Sequence, residues 1–400
     1  MYTKCLRSRF LKDLGTPPLG PNVKHRRFIP LTAISRSKSG IQDNSNNSNN
    51  PSRPESFFNN LTMSPSSTFN DAPDSATTVR NGKPLLYILS EFHPTSVKYA
   101  ESLFDCIHYD DPRALKWRST ANAILVKDYD ITRADLEAAP QLQIIGKQGV
   151  GIEKIDDVAC ADHNVKIFNT PGVNAGAVAE MTLALALSVA RKIPGIWLRQ
   201  VTNGETIRKE TCSGLLLTGK RIGIIGMGNI GLAVAKMFSA AFGAQIVVYD
   251  NYMPEDPPAW RSTSHKRVRS IEDVLKDTDV ITIHVPLTKE TTGMISYAQF
   301  ELMKDTAILI NTARGGIVDE EALVDVLRRG RIWGAGLDCH SQEPPTREKY
   351  HDLWSSGNIV GTPHISAATD ETQVATINAA IDGVHKFVTA PSFVVGKTGI

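Results

Sequence analysis

An arginine, a glutamate and a histidine fall just beyond three successive apolar runs in the last third of the sequence. They are Arg314 in NTARGG at 311–316, Glu343 before Pro344, and His364 after Pro363. His284, closing another run ahead of Pro286, and Asp338, closing the run before Glu343, occupy comparable places. In open α/β sheets ligands sit beyond the carboxyl ends of the strands, so one cluster of loops holds all of these groups. A histidine near neutrality can give or take a hydroxyl proton. A glutamate against its second nitrogen orients it and favours imidazolium. An arginine fork holds a carboxylate through two hydrogen bonds. Metal ligation is the rival use of such residues. No HxH, HExxH or close Asp/His cluster occurs in the sequence, and no metal site is expected.

The sequence KRIGIIGMGNIG at 220–231 gives that trio its task. It reads as a strand, a tight turn and a helix start. Gly226 permits the turn, Gly228 leaves room for a pyrophosphate, and Gly231 lets helix and strand approach closely. Asn229 and Ile230 open the helix, whose free N–H groups face the phosphates. Asp250 ends the next strand, 19 residues beyond Gly231. A carboxylate there accepts from ribose hydroxyls and repels a 2′-phosphate, so NAD is expected over NADP, with Arg261 and Lys266 in the following loop working against that preference. Beside a nicotinamide, the histidine would move the hydroxyl proton while hydride passes between the ring and an alcohol carbon.

The elements that must position these groups come in two series. Apolar runs at 84–89, 106–109, 123–126, 142–145 and 165–168 recur every 17 to 23 residues, with helical patterns between them. Strands alternating with helices mean a parallel sheet covered on both faces. A long Ala/Leu/Met helix over 177–192 follows. The second series has strands at 221–225, 245–249, 280–284, 307–310, 334–337 and 358–360, and helices at 229–242, 271–276, 319–328 and 368–388. The last helix has little room in this second unit and is expected to return to the first. The fold class is α/β, with two Rossmann-like lobes.

Composition supports a globular core behind a tail. Hydrophobic residues make up 41% and charged residues 22% of the 400. Residues 1–80 carry a net +6 and the remaining 320 a net −4, so the core has no broad nucleic-acid footprint. Five cysteines without a CxxC exclude a disulfide scaffold and a thiolate zinc knuckle, and point to a reducing compartment. No apolar run reaches 18 residues free of charge, so no membrane span is expected. The first residues are basic, with Leu6, Phe10, Leu11 and Leu14 at roughly helical spacing. A mitochondrial presequence is one reading. An unstructured basic tail is the other, favoured by Asp13 and Pro17-Pro18. The Ser/Asn-rich stretch that follows cannot offset its ordering entropy, so residues 1–80 are read as a disordered, non-catalytic tail. A cytoplasmic location is expected, with mitochondrial targeting as the alternative.

Taken together, these motifs resemble the NAD-dependent D-isomer-specific 2-hydroxyacid dehydrogenases, most nearly their phosphoglycerate-dehydrogenase-like branch. The resemblance covers about residues 83–388. It rests on GKQGVGIEKID at 146–156, NTPG at 169–172, VAE at 178–180, the nucleotide motif, HVPLT at 284–288, NTARGG at 311–316, GLD at 336–338, Glu343-Pro344 and Pro363-His364. It implies a split substrate lobe of 83–185 plus 365–390, an inserted NAD-binding lobe of 186–364, and a homodimer through the latter. It makes Arg314 the carboxylate-binding arginine, His364 the acid/base histidine and Glu343 its partner. Asp338 would contact the nicotinamide amide, and Val150 and Gly151 would offer N–H groups to the substrate carboxylate. His284, Pro286, Thr312 and Ala313 complete the cofactor-facing set.

The expected activity is interconversion of a D-2-hydroxyacid and a 2-oxoacid. One departure bears on the substrate. Lys127-Asp128-Tyr129-Asp130 stands where phosphoglycerate-type members usually carry an arginine. Lys127 can pair with a phosphate only as a point charge, and Asp128 and Asp130 oppose one. No regulatory domain of the longer phosphoglycerate dehydrogenases follows residue 390 in this sequence, so serine feedback by that route is not expected. The alternatives are 3-phosphoglycerate oxidation and, in a different class, a non-catalytic NAD-sensing protein like the family's transcriptional corepressors.

Overall fold

The computed structural model describes residues 79–80 and 82–390. The tail and presequence expectations for residues 1–78 lie outside the described residues. Val79 and Arg80, counted with the tail from sequence, instead pair antiparallel with Pro84 and Lys83 around a turn at Gly82, whose φ is +77°.

The first sheet contains β1 (Val79–Arg80), β2 (Lys83–Ile88), β3 (Asp105–His108), β4 (Ala123–Val126), β5 (Ile144–Lys147) and β6 (Lys166–Phe168). Apart from β1 it is parallel, with β2 between β3 and β4, then β5 and β6. The second sheet contains β7 (Arg221–Ile225), β8 (Gln245–Tyr249), β9 (Lys266–Arg267), β10 (Val280–Ile283), β11 (Ile308–Asn311), β12 (Gly334–Leu337) and β13 (Ile359–Gly361). It is parallel throughout, in the order β13-β12-β11-β10-β7-β8-β9. The order reverses between β7 and β10, so the crevice above their carboxyl ends is the ligand position that this topology creates.

Both sheets are buried on both faces, which is why their strands read as continuous apolar runs. Ile222 and Ile224 pack on one side of the second sheet with Val234 and Phe238, while Ile281, Ile283 and Leu309 pack on the other with Leu323 and Val326. The helix Ala175–Ala190 contributes Leu185, Ala186 and Val189 to the second lobe's core. The lobe boundary drawn from sequence at 185/186 therefore falls inside a helix whose buried side belongs to the nucleotide-type sheet.

The last helix, Asp370–Val388, does return to the first sheet. Ile377, Ala380, Ile381 and Val384 pack with Leu86, Ile88, Leu125 and Ile144. This crossing explains a misread boundary. Gly146 looked like the start of a loop, which ended the expected strand at Ile145. It lies inside β5, which pairs with β4 as far as Lys147. The position is glycine because a Cβ there would stand only 2.7 Å from both Leu125 Cδ1 and Val384 Cγ2. Three helices escaped the sequence patterns: Tyr297–Phe300, Arg347–Trp354, and Ile193–Asn203, where Ile193, Trp197, Leu198 and Val201 are exposed. No single helix among the described residues is long and apolar enough to cross a membrane.

Candidate active site

The end of β12 organises the contact between Glu343 and His364. Asp338 is fully buried, and its carboxylate accepts from Thr362 Oγ1 at 2.6 Å, Ile365 N at 2.9 Å, Ser366 N at 2.9 Å and Ser366 Oγ. The 362–366 segment is thus wrapped around one carboxylate. His364 sits at its apex with φ +57°, a left-handed conformation unusual for a non-glycine residue, and its N–H donates to the Asp338 carbonyl at 2.7 Å. Two residues further along the same strand end, the His340 N–H donates to Glu343 Oε1 at 3.1 Å. The other Glu343 oxygen, Oε2, lies 2.8 Å from His364 Nδ1.

The two partners tune each other. Hydrogen bonds with Cys339 and Glu343 push the His364 imidazole up to about 10, against the opposing effect of burial. Burial also pushes the Cys339 thiol up, so it stays neutral, and Glu343 is the neighbour that carries charge. Burial works against the Glu343 carboxylate, but the bond and charge of His364 outweigh it and hold the group below its usual range. Behind this pair, His340 packs edge-on against Tyr350 and Trp354. Asp338, Cys339 and His364 bring ligand-type atoms within 4.8 Å of one another, a grouping that could in principle hold a metal ion. The carboxylate in that set already has four donors, which leaves it poorly placed to coordinate one.

Arg314 stands on the next loop, after β11. Asn311 shapes that loop, accepting from Ala313 N at 3.0 Å and donating to the Arg314 carbonyl at 2.8 Å. Gly315 has to be glycine because a Cβ there would collide with the His340 carbonyl, so the arginine loop lies directly on the segment that holds Glu343. The Arg314 side chain crosses to the first lobe, where its Nε donates to Glu153 at 2.8 Å. Gly151 is pressed against that pair, and Val150 beside it is partly exposed. Thr312 and Ala313 are buried, and the Thr312 hydroxyl lies 3.1 Å from that of Thr182 on the interlobe helix.

The glycine turn has room for a dinucleotide. Gly226 adopts φ +106° directly under the His284 carbonyl, and a Cβ on Gly231 would collide with the Gly226 carbonyl. A Cβ on Gly228 would meet nothing within 4 Å, so space is open above the amino terminus of the helix Asn229–Phe242, which has no side-chain cap. Asn229 reaches back to Gly172 in the interlobe segment. Asp250 follows β8; its Oδ2 accepts from Met227 N at 2.8 Å and its Oδ1 from Tyr252 N at 2.8 Å and Met253 N at 2.9 Å, tying the carboxylate to the turn. Both ring nitrogens of His284 are buried with no hydrogen-bond partner among the described residues, and burial depresses the imidazole to about 3, so it is neutral. Pro286 is exposed beyond it. The basic residues expected to weaken NAD preference are engaged elsewhere: Arg261 with Asp256 at 2.8 Å, Lys266 with Asp277 at 3.4 Å.

The model of the D-isomer specific 2-hydroxyacid dehydrogenase NAD-binding domain matches residues 183–366. The hydroxypyruvate reductase of Thermotoga maritima is 38% identical over 268 residues, covering 66% of this chain and 84% of that protein. The chain belongs to the D-isomer-specific 2-hydroxyacid dehydrogenases. The D-3-phosphoglycerate dehydrogenase of Methanocaldococcus jannaschii is 39% identical over 256 residues, 64% of this chain, and the match spans about half of that protein, 47%. A D-lactate dehydrogenase from Aquifex aeolicus, solved with NAD and lactic acid, superposes with a TM-score of 0.66 at 28% identity, covering 79% of this chain and 98% of that one. Identities of 38% and 39% do not separate a phosphoglycerate branch from a hydroxypyruvate branch.

Against this family frame, the sequence brought Arg314, Glu343 and His364 to one cluster of loops, and the structure places them there. Asp338, expected to contact the nicotinamide, lies at the end of β12 with its carboxylate bound by Thr362, Ile365 and Ser366. Lys127 follows β4, where its backbone N–H donates to Ser90 Oγ at 3.0 Å. Lys147 and Glu153 were missed. Lys147 ends an apolar strand, so the strand-end criterion that found the other groups would have found it too.

Proposed function

We propose that this dehydrogenase acts as an NADH-dependent reductase of small, unphosphorylated 2-oxoacids such as hydroxypyruvate or glyoxylate. The carrying observation is the 2.8 Å contact between Glu343 Oε2 and His364 Nδ1, which favours a charged imidazole at neutral pH. The turn at 226–231 and Asp250 would hold NADH, which would supply the hydride. His364 uses Nδ1 to hold Glu343, leaving Nε2 as the nitrogen that passes a proton to the keto oxygen. Glu343 stabilises the imidazolium before transfer. Arg314 and the N–H groups of Val150 and Gly151 hold the substrate carboxylate and keep the keto carbon in register.

The preference for an unphosphorylated substrate rests on the 127–130 loop, where acidic Asp128 and Asp130 follow a lysine point charge. Turnover of hydroxypyruvate and 3-phosphohydroxypyruvate by the purified protein tests it. The expected result is a higher kcat/KM for hydroxypyruvate. A strong advantage for the phosphorylated compound restores the phosphoglycerate reading, and no turnover of any 2-oxoacid favours a non-catalytic role. A homodimer through the nucleotide lobe is part of the same reading, supported by the exposed Trp197, Leu198 and Val201 on the helix Ile193–Asn203. Sedimentation of Trp197→Glu as a monomer would support it, and an unchanged dimer would place the interface elsewhere.

A further inference from the structure

The fork of Arg314 is partly engaged before any substrate arrives. Its Nε donates to Glu153 at 2.8 Å and its Nη1 to the Ala313 carbonyl at 2.7 Å. Glu153 belongs to the glycine-rich loop after β5, so this ion pair joins the two lobes at the place where Gly151 lies against both partners. Three more charges act on the same corner. Lys147 is largely buried at the end of β5, with its amine 2.6 Å from the Gln148 carbonyl. Burial pushes that amine down, Asp128 and Glu153 act to raise it, and Arg314 and Lys127 act to lower it further. Lys154 adds a further cation, its amine 3.4 Å from the Asp128 carbonyl, and Arg314–Glu153 is the ion pair formed at this corner.

We propose that Glu153 sets the charge limit on the substrate: it takes one edge of the Arg314 fork, leaves the remaining N–H groups for a single carboxylate, and repels a second negative charge on the substrate's tail. A dianionic 2-oxoacid brings a second negative charge toward Glu153 and Asp128. Glu153 is on this account a specificity-determining residue rather than a participant in the proton or hydride step. The inference rests on the reading of this cleft as a 2-oxoacid site.

The test compares two substrates that differ only in a terminal methyl or carboxylate, 2-oxobutyrate and oxaloacetate. In Glu153→Gln, the ratio of kcat/KM for oxaloacetate over that for 2-oxobutyrate should rise on the order of tenfold relative to wild type, as expected for removing one unit charge a few ångströms away at an intermediate dielectric. Glu153→Asp keeps the charge and should keep the wild-type ratio. An unchanged ratio in an active Glu153→Gln enzyme, or equal losses on both substrates, overturns the proposal and leaves Glu153 a tie between the lobes. The same comparison is made without turnover by titrating the enzyme–NADH complex with D-malate and D-2-hydroxybutyrate. A relative gain for D-malate in Glu153→Gln supports the charge limit, and an unchanged preference overturns it. A protein that reduces neither 2-oxoacid but shows the binding shift retains the charge limit while refuting the reductase reading.

Discussion

Two carboxylate–cation pairs, each at 2.8 Å, stand in the cleft, yet they are built differently. Glu343 and His364 are gripped by one strand end: the Asp338 carbonyl and carboxylate fix the His364 segment, and the His340 N–H fixes Glu343. Their separation is a property of one lobe. Glu153 and Arg314 come from different lobes. Their separation depends on how the lobes meet and on what else Arg314 holds. The same chemistry therefore serves two ends. A pair fixed by backbone hydrogen bonds holds a proton at a defined strength, whereas a pair bridging two bodies responds to the charge of a third group placed between them.

The largest effect should come from breaking the first pair at its cation. His364→Gln should lose about 10²–10⁴ in kcat while NADH binding, read by fluorescence titration, stays near wild type, because the glycine turn and Asp250 are untouched. A near-wild-type kcat would remove His364 from proton transfer. Breaking the second pair at its cation should cost both binding and turnover: Arg314→Ala should lower kcat/KM by about 10²–10³, with KM raised and kcat reduced together. If KM rose alone, the arginine would be a binding group with no part in the transition state. The smallest effect sharpens the assignment within the first pair. Cys339→Ala removes the other neighbour of His364, and because burial keeps that thiol neutral, it should move the pH profile of reduction less than loss of the Glu343 charge does. A larger shift from Cys339→Ala would make the sulfur the controlling partner.

The two pairs also differ in how far they could be read from sequence. Glu343 and His364 follow apolar strands in a series with regular spacing, and the turn at 226–231 announces the cofactor lobe in advance. Glu153 lies inside a glycine-rich loop, where its charge gives no periodic signal. Its partner Arg314 is 161 residues away, and only the packing of two lobes brings them together. Gly146 misled for a related reason, since the pressure that demands a glycine there comes from Val384 on a helix at the far end of the chain. Asp338 shows the limit from the other side. Its position at a strand end was readable, but the donors that fill it, Thr362, Ile365 and Ser366, arrive from 24 to 28 residues later, and no local pattern shows that they fold back onto it.

The proton-holding role of Glu343 is the central claim, and the pH dependence of kcat/KM for 2-oxoacid reduction tests it most directly. Reduction needs the imidazolium, so activity is present below the His364 pKa and is lost as pH rises through it. In wild type this alkaline limb should lie above the ordinary histidine range, because the Glu343 carboxylate favours the charged ring. In Glu343→Gln, with circular dichroism confirming an intact fold, the limb should move to lower pH by about one unit or more, because a neutral amide no longer favours the charged ring. Superimposable limbs for the two enzymes would contradict the account and remove Glu343 from the proton-transfer pair.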